Sequence, residues 1–371
     1  MSARRPTLVL LVSHRADLTG APLCLLDLVR GVDRGRFQPS VLLGEHGPLE
    51  DLLRNESEQR PFEWAVFDRK FRRGLMQPLV LADQLRRFSP DLVQVFAAVG
   101  FSKSIALAAR LLRVPLVWHL HNDESLDKFR RRRPWVRMLS TCVVACSHSV
   151  ARHYPPGKTR VIPNGVPPFP LPGLSIEEAE KRLDLEPAPF RFLFVGTIMP
   201  HKNVHRIVEA AEAVLKAEPD TDFVVVGGSE KADYLESVRT LIRKLRIERR
   251  FHLRAPTPDV SPYYAAADVL LLPSSTECFP RVILEAASAG VPSLATSVGD
   301  VALLIDKDRT GWLLEESELD PLPLAQRMLE LRRIGRSTVQ TIGASAQRSI
   351  AERFPLSRYL DQFQKLWAEM C

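Results

Sequence analysis

Short apolar runs recur along the chain, separated by longer stretches of mixed polarity. In the first half they are Thr7–Val12, Pro39–Leu43, Glu63–Phe67, Asp91–Phe96, Pro115–His121 and Thr141–Ser147. The runs are continuous rather than alternating, the pattern of strands buried on both faces. Leu23–Val32, Leu75–Phe88 and Ser102–Leu112 lie between them and are amphipathic with a helical period. Strands alternating with helices predict a parallel sheet covered on both sides, with ligands beyond the carboxyl ends of the strands. The second half repeats this architecture, without repeating the sequence, in Phe190–Ile198, Asp222–Val226, Phe251–Leu253, Val269–Leu272 and Pro292–Thr296. Between the halves, Val161-Ile-Pro-Asn-Gly-Val-Pro-Pro-Phe-Pro-Leu-Pro-Gly173 supplies a turn and a stiff proline-rich connection. The last stretch, Pro355 to Met370, carries Tyr359, Phe363 and Trp367 at four-residue spacing, an amphipathic helix whose aromatic stripe serves packing. The expected division is residues 1–165, residues 166–353, and a helix at 354–371 packing back on the first domain.

Composition narrows this picture. Hydrophobic residues make up 45% of 371, enough for two cores. No apolar run approaches the roughly 20 residues of a membrane-spanning helix. The start, with Arg4 and Arg5 before Leu8–Val12, mimics a signal peptide, but His14, Arg15 and Asp17 interrupt it at once and a buried first strand is expected. Five scattered cysteines, Cys24, Cys142, Cys146, Cys278 and Cys371, are odd in number and lack metal-ligand spacing. They predict no disulfide framework and a reducing, cytoplasmic compartment.

A net charge of +7 suits anionic partners. Nucleic acid is not among them, because no recognition motif or aromatic interleaving is present. Two basic clusters stand out, Arg69-Lys-Phe-Arg-Arg73 and the run Arg130, Arg131, Arg132, Arg133 between Phe129 and Trp135. Two readings stay open for them: a solvated face, or peripheral attachment to anionic headgroups on the inner face of a membrane.

The candidate chemistry centres on Ser274-Ser-Thr-Glu-Cys-Phe-Pro-Arg-Val-Ile-Leu-Glu-Ala-Ala-Ser-Ala-Gly-Val-Pro292. Pro280 suits a first helical turn and Gly290 the position just past its end. Glu277 then sits in the loop facing the helix and Glu285 about a turn inside it, seven residues between them. A carboxylate in such apolar company needs a partner, which a hydroxyl-rich ligand can supply. Lys202 precedes another predicted helix, a placement that joins a point charge to free amides and suits a phosphate. Gly20 stands just before a helix in the loop after the first strand. His119 and His121 share one face of their strand, His121 nearer its carboxyl end and the better site candidate.

Together these pieces resemble glycosyltransferase family 4, the group 1 transferases. The resemblance rests on Thr19-Gly-Ala21, Val161-Ile-Pro-Asn-Gly-Val166, Val195-Gly-Thr-Ile-Met-Pro-His-Lys-Asn203, Tyr263-Tyr-Ala-Ala-Ala-Asp-Val-Leu-Leu-Leu-Pro-Ser274, and Glu277-x7-Glu285 followed by Ala289-Gly-Val-Pro292. It implies an α/β, GT-B architecture of two Rossmann-like doubly wound domains facing a central cleft. It implies a retaining, hexosyltransferase-type enzyme without a cofactor or required metal. That enzyme would move a sugar from a nucleotide diphosphate sugar to a saccharide or lipid-linked acceptor in polysaccharide or glycoconjugate synthesis. On that resemblance Glu285 would accept from ribose hydroxyls, Glu277 would contact the donor sugar, and Lys202 would neutralise the diphosphate. Gly20 would let its loop approach the diphosphate, and His121 would lie beside the reacting anomeric carbon. His121, Lys202 and Glu277 are thus the catalytic candidates. Gly196, Thr197, Phe279, Arg281 and Val282 complete the donor-binding set.

The chain departs from the family pattern at Thr197, where arginine is frequent, at Cys278, where glycine is frequent, and at Leu303, where an acid is frequent. Arg281 is a candidate to replace the charge absent at Thr197. These departures keep two other readings open. One is a non-catalytic nucleotide-sugar-binding or scaffolding protein of an assembly complex, the other a nucleotide-sugar epimerase.

Overall fold

The apolar runs of the first half pair side by side in parallel. They form β1 (Thr7–Ser13), β2 (Phe37–Leu43), β3 (Trp64–Val66), β4 (Leu92–Phe96), β5 (Leu116–Leu120), β6 (Cys142–Ala145) and β7 (Thr159–Val161). The intervening helices are α1 (Gly20–Gly31), α2 (Leu49–Gln59), α3 (Gln77–Phe88), α4 (Val99–Leu111), α5 (Arg133–Leu139) and α6 (His148–Ala151). Among the described residues the strand order is β3-β2-β1-β4-β5-β6-β7, every pairing parallel. The computed structural model describes residues 5–67, 77–96, 99–122, 130–131 and 133–371. The basic cluster Arg69–Arg73, with Lys128, Phe129 and Arg132, lies outside them.

The second half forms β8 (Phe190–Val195), β9 (Thr221–Val226), β10 (Phe251–Arg254), β11 (Val269–Leu272), β12 (Ser293–Thr296) and β13 (Gly311–Leu314). Its helices are α7 (Ile176–Leu183), α8 (Val204–Ala217), α9 (Ala232–Leu245), α10 (Ser261–Ala265), α11 (Arg281–Ser288), α12 (Pro321–Ile334) and α13 (Arg336–Arg353). The order is β10-β9-β8-β11-β12-β13, again parallel. Both sheets are doubly wound and Rossmann-like. The chain divides into Gly165–Pro355 and a unit made of Met1–Asn164 with Leu356–Cys371.

The edge strands β7 and β13 are not marked by any predicted run. β7 is Thr-Arg-Val with half-buried and exposed side chains, and an edge strand with one neighbour needs little apolar surface. The run predicted to reach Ile198 ends as a strand at Val195, where Gly196 follows at φ +148°, although Ile198 N still bonds Gly228 O at 2.7 Å. The predicted strand through His121 stops one residue short, at Leu120. α1 begins at Gly20 itself, with Thr19 extended before it.

The second unit buries an ionic cluster at the amino ends of its strands. Arg191, 1% exposed on β8, bonds Asp222 and Glu180 at 2.8 Å each. Asp268 takes the Arg191 backbone N–H at 2.7 Å and the Arg336 guanidinium at 2.6 Å. Desolvated charges of this kind persist only when each is paired.

The last helix, α14 (Leu356–Met370), completes the core of the first unit. Tyr359, Phe363 and Trp367 are at most 2% exposed in one cluster with β1, β2 and α1. Trp367 meets Phe37 edge-on at 5.4 Å. α1 and α14 approach so closely at Gly31 that a Cβ there would lie 2.3 Å from Leu360 Cδ1. Phe363→Ala should therefore cost about 3–5 kcal/mol and raise hydrogen exchange in α1; an unchanged melting curve would contradict this packing.

Candidate active site

In an open parallel sheet a crevice forms where strand order reverses, because neighbouring strands there send their crossovers to opposite faces. In the second unit the reversal lies between β8 and β11. The loop after β8 carries Gly196, Thr197 and the short turn Pro200–Lys202, and the loop after β11 carries Glu277. Lys202 Nζ donates to Glu277 Oε1 at 2.5 Å, so this ion pair spans the switch point. The two ends are only 18% and 10% exposed.

Asn203 ties the two loops together. It has a left-handed backbone at φ +55°, a conformation asparagine tolerates better than most residues. Its amide donates to Pro273 O at 2.8 Å and Ser275 Oγ at 2.9 Å. Ser275 N returns a bond to His201 O at 2.8 Å. Asn203 closes the Val195–Asn203 motif, but its tie to the second loop depends on residues 70 and 72 positions away. The signal available was an asparagine between a lysine and a helix start.

Gly299 supports the Glu277 loop from below. At φ +59°, a Cβ on it would fall 2.0 Å from Glu277 O. Asp300 N donates to Cys278 O at 3.0 Å. Cys278 and Phe279 turn inward, 7% and 4% exposed, and the Phe279 ring packs edgewise on Phe354 at 5.2 Å. The side chain of Phe279, expected among the donor contacts, is thus part of the interior. Leu303, by contrast, is 44% exposed.

Pro280, extended at φ −70° and ψ 118°, opens α11, and Arg281 is its first residue. The first amides of a helix have no intrahelical acceptor. One turn on, Glu285 Oε1 faces Arg281 Nε at 3.4 Å, and Glu285 Oε2 accepts from Tyr264 OH at 3.1 Å. Tyr264 on α10 is 2% exposed. Burial and the Glu285 carboxylate push its ionisation well above the ordinary phenol range, so it stays a donor. Tyr264 lies in the Tyr263–Ser274 motif, where nothing in the sequence marks it as the partner of Glu285. Arg281, a candidate replacement for a charge absent at Thr197, is paired with Glu285. Gly196, Thr197, Lys202, Glu277, Arg281, Val282 and Glu285 are all half-buried.

In the first unit the reversal lies between β1 and β4. Gly20 is exposed at the start of α1, where Asp17 Oδ1 accepts from Thr19 N at 3.1 Å. His119, the penultimate residue of β5, is fully buried, and His121, just past the strand, is half-buried. Their rings lie 4.0 Å apart. Of the arginine run, Arg130 and Arg131 are exposed and Arg133 is half-buried. Trp135 takes the Lys103 ammonium 3.4 Å from its ring centroid.

Two family models match, one in each half: "Glycosyltransferase Family 4" over residues 18–168 and "Glycosyl transferases group 1" over residues 189–333. The chain belongs to glycosyltransferase family 4. This family 4 glycosyltransferase is 25% identical to the Escherichia coli enzyme UDP-Gal:alpha-D-GlcNAc-diphosphoundecaprenol alpha-1,3-galactosyltransferase, over 96% of this chain and 98% of the other. It is 24% identical to N-acetyl-alpha-D-glucosaminyl L-malate synthase of Bacillus anthracis, over 78% and 77%. Its fold matches the structure of Anabaena Alr3699/HepE in complex with UDP-glucose, with a TM-score of 0.84, 22% identity, and 98% and 99% of the two chains covered. The transferase thus has the GT-B fold.

Two supports of this glycosyltransferase site can be tested without knowing its substrates. Gly299→Ala should cost about 1–3 kcal/mol through backbone strain and displace Glu277; an unaltered melting temperature would show that the loop can absorb the methyl group. Tyr264→Phe removes one hydrogen bond from Glu285 and should lower stability by about 0.5–1.5 kcal/mol, read by chemical denaturation, with little change in fold by circular dichroism; an unchanged midpoint would show that the bond contributes nothing to stability.

Proposed function

We propose that this glycosyltransferase transfers a hexose from a uridine diphosphate sugar to a saccharide or lipid-linked acceptor, with retention, in cell-surface polysaccharide or glycoconjugate synthesis. The observation that carries the reading is the Lys202–Glu277 pair across the switch point, with Glu285 held one helical turn beyond. The donor and acceptor classes are suggested by a relative named for UDP-Gal and a diphosphoundecaprenol-linked sugar, and by a neighbour solved with UDP-glucose.

Donor binding would be an exchange of partners. The diphosphate takes Lys202, and the sugar hydroxyls give Glu277 the hydrogen bonds it loses. Ribose hydroxyls donate to Glu285, whose second oxygen Tyr264 keeps occupied. When the sugar leaves, charge builds on the outer phosphate oxygen, where Lys202 and the first amides of α11 stabilise it; Gly196 and Thr197 line the same approach. Both glutamates are engaged as acceptors, so neither serves as a free acid or base. The leaving phosphate oxygen is then the base on the departing face, which favours attack from that face and hence retention. In the first unit, His121 and Gly20 are the residues to which the family resemblance assigns a part in this reaction.

The reading assigns no metal, since lysine and helix amides meet the diphosphate charge. Among the described residues no helix is long and apolar enough to cross a membrane. Contact with an anionic membrane face through Arg130 and Arg131 belongs to the same proposal, as the place where a lipid-linked acceptor is met. The scaffolding and epimerase readings gain nothing from these observations.

Nucleoside diphosphate release should fall about 10²–10³-fold in Lys202→Ala, and Glu285→Ala should cost about 1.5–3 kcal/mol of UDP affinity. Turnover should persist in excess chelator. Failure of every common uridine, guanosine and adenosine diphosphate sugar to bind would overturn the reading.

A further inference from the structure

A chain of contacts runs from the last helix to the histidine pair. Trp367 Nε1 on α14 donates to Gln94 Oε1 on β4 at 2.9 Å. Gln94 Nε2 reaches His119 Nδ1 on β5 at 3.5 Å. Gln94 and His119 are fully buried. An indole can only donate, so its bond fixes which way the Gln94 amide faces. The oxygen points to Trp367 and the NH2 to His119. An NH2 group can only donate as well, so His119 Nδ1 must be the acceptor and carry no proton. A neutral His119 then holds its proton on Nε2.

The ring is enclosed on its other sides. His121 lies at 4.0 Å, Phe363 at 5.0 Å, Phe96 at 5.1 Å and Tyr359 at 6.5 Å between centroids. His121 and Tyr359 are therefore the titratable groups facing it from the described elements. His119 Nε2 and His121 Nε2 are both buried and have no hydrogen-bond partner among the described residues.

We propose that Gln94 and Trp367 are positioning residues for this imidazole pair, locking His119 as the neutral Nε2–H tautomer and so fixing the ring against which His121 rests. This rests on the reading of His121 as the residue beside the reacting carbon. Protonating His119 would place an N–H against the Gln94 NH2, donor against donor. Burial, with His121 adjacent, already pushes His119 well below the ordinary histidine range. The lock has a chemical use. Positive charge develops on the anomeric carbon as a glycosyl group transfers. A cationic imidazole in the pair would oppose that charge, whereas a neutral one does not.

The test uses the full-length protein with 15N-labelled histidine, the His119 signal identified by its loss in His119→Gln. Long-range 15N–1H correlation should show His119 as the neutral Nε2–H tautomer from about pH 6 to 8. Trp367→Phe keeps an aromatic ring but frees the amide to turn, and Gln94→Met removes both bonds at similar length. In each, the Nδ1–H tautomer or the protonated form should become populated. Transfer should slow about tenfold to a hundredfold in kcat with donor KM unchanged, more steeply at acid pH. Either of two results overturns the proposal: a His119 tautomer unaltered in both variants, or an altered tautomer with wild-type kcat. His121→Ala separates the two ideas. Wild-type kcat in that variant would remove the reading of His121 itself, while the tautomer signal would still decide whether the relay exists.

Discussion

The reversal of strand order between β8 and β11 is the constraint from which the rest of the site follows. Parallel strands need right-handed crossovers, so a reversal sends neighbouring connections to opposite faces and leaves the two loops side by side. Residues 75 positions apart, Lys202 and Glu277, then come within 2.5 Å. Asn203 keeps them there by bonding the partner loop through its side chain. Gly299 does so from the other side, because any larger residue would displace the backbone that carries Glu277.

Charge in this site is paired before a substrate arrives. Lys202 faces Glu277, and Arg281 faces Glu285. A carboxylate or ammonium this little exposed would cost several kcal/mol if left alone. Pairing makes the site stable, and the donor binding proposed above is an exchange of these partners rather than an addition. It also separates these carboxylates from the acid–base pair of a glycoside hydrolase, which must hold or release protons.

The first unit solves a different problem. Its core is closed by a helix from the far end of the sequence, α14, which lays Tyr359, Phe363 and Trp367 against strands from the first third of the chain. The stripe is packing, as its spacing implies. The same indole also supplies a donor to Gln94, so a residue chosen for volume and ring contact reaches the histidine pair through that amide, in two successive hydrogen bonds.

The sequence by itself determined the doubly wound class, because continuous apolar runs alternating with helical periods have few other solutions. It also marked Lys202, Glu277 and Glu285, since each is a charged group at a helix or loop position that apolar neighbours make conspicuous. Tertiary structure alone decided the partners. Nothing local in Phe190–Val195 says that Arg191 will be neutralised by Glu180 and Asp222 from two other elements. Nothing in the Tyr263-Tyr264 pair says which ring will hold Glu285. β7 lacked a signal because an edge strand is held mainly by backbone bonds to one neighbour, and those bonds carry no side-chain signature; β13, Gly-Trp-Leu-Leu, is mostly buried but has only three apolar residues in a row, too short a run to stand out. Phe279 belongs to the expected donor-binding set, yet the burial of its side chain, like that of Cys278, depends on Phe354 and the Asp300 loop arriving from elsewhere. Periodicity is a property of neighbours in sequence, whereas pairing of buried charges and donors is a property of neighbours in space.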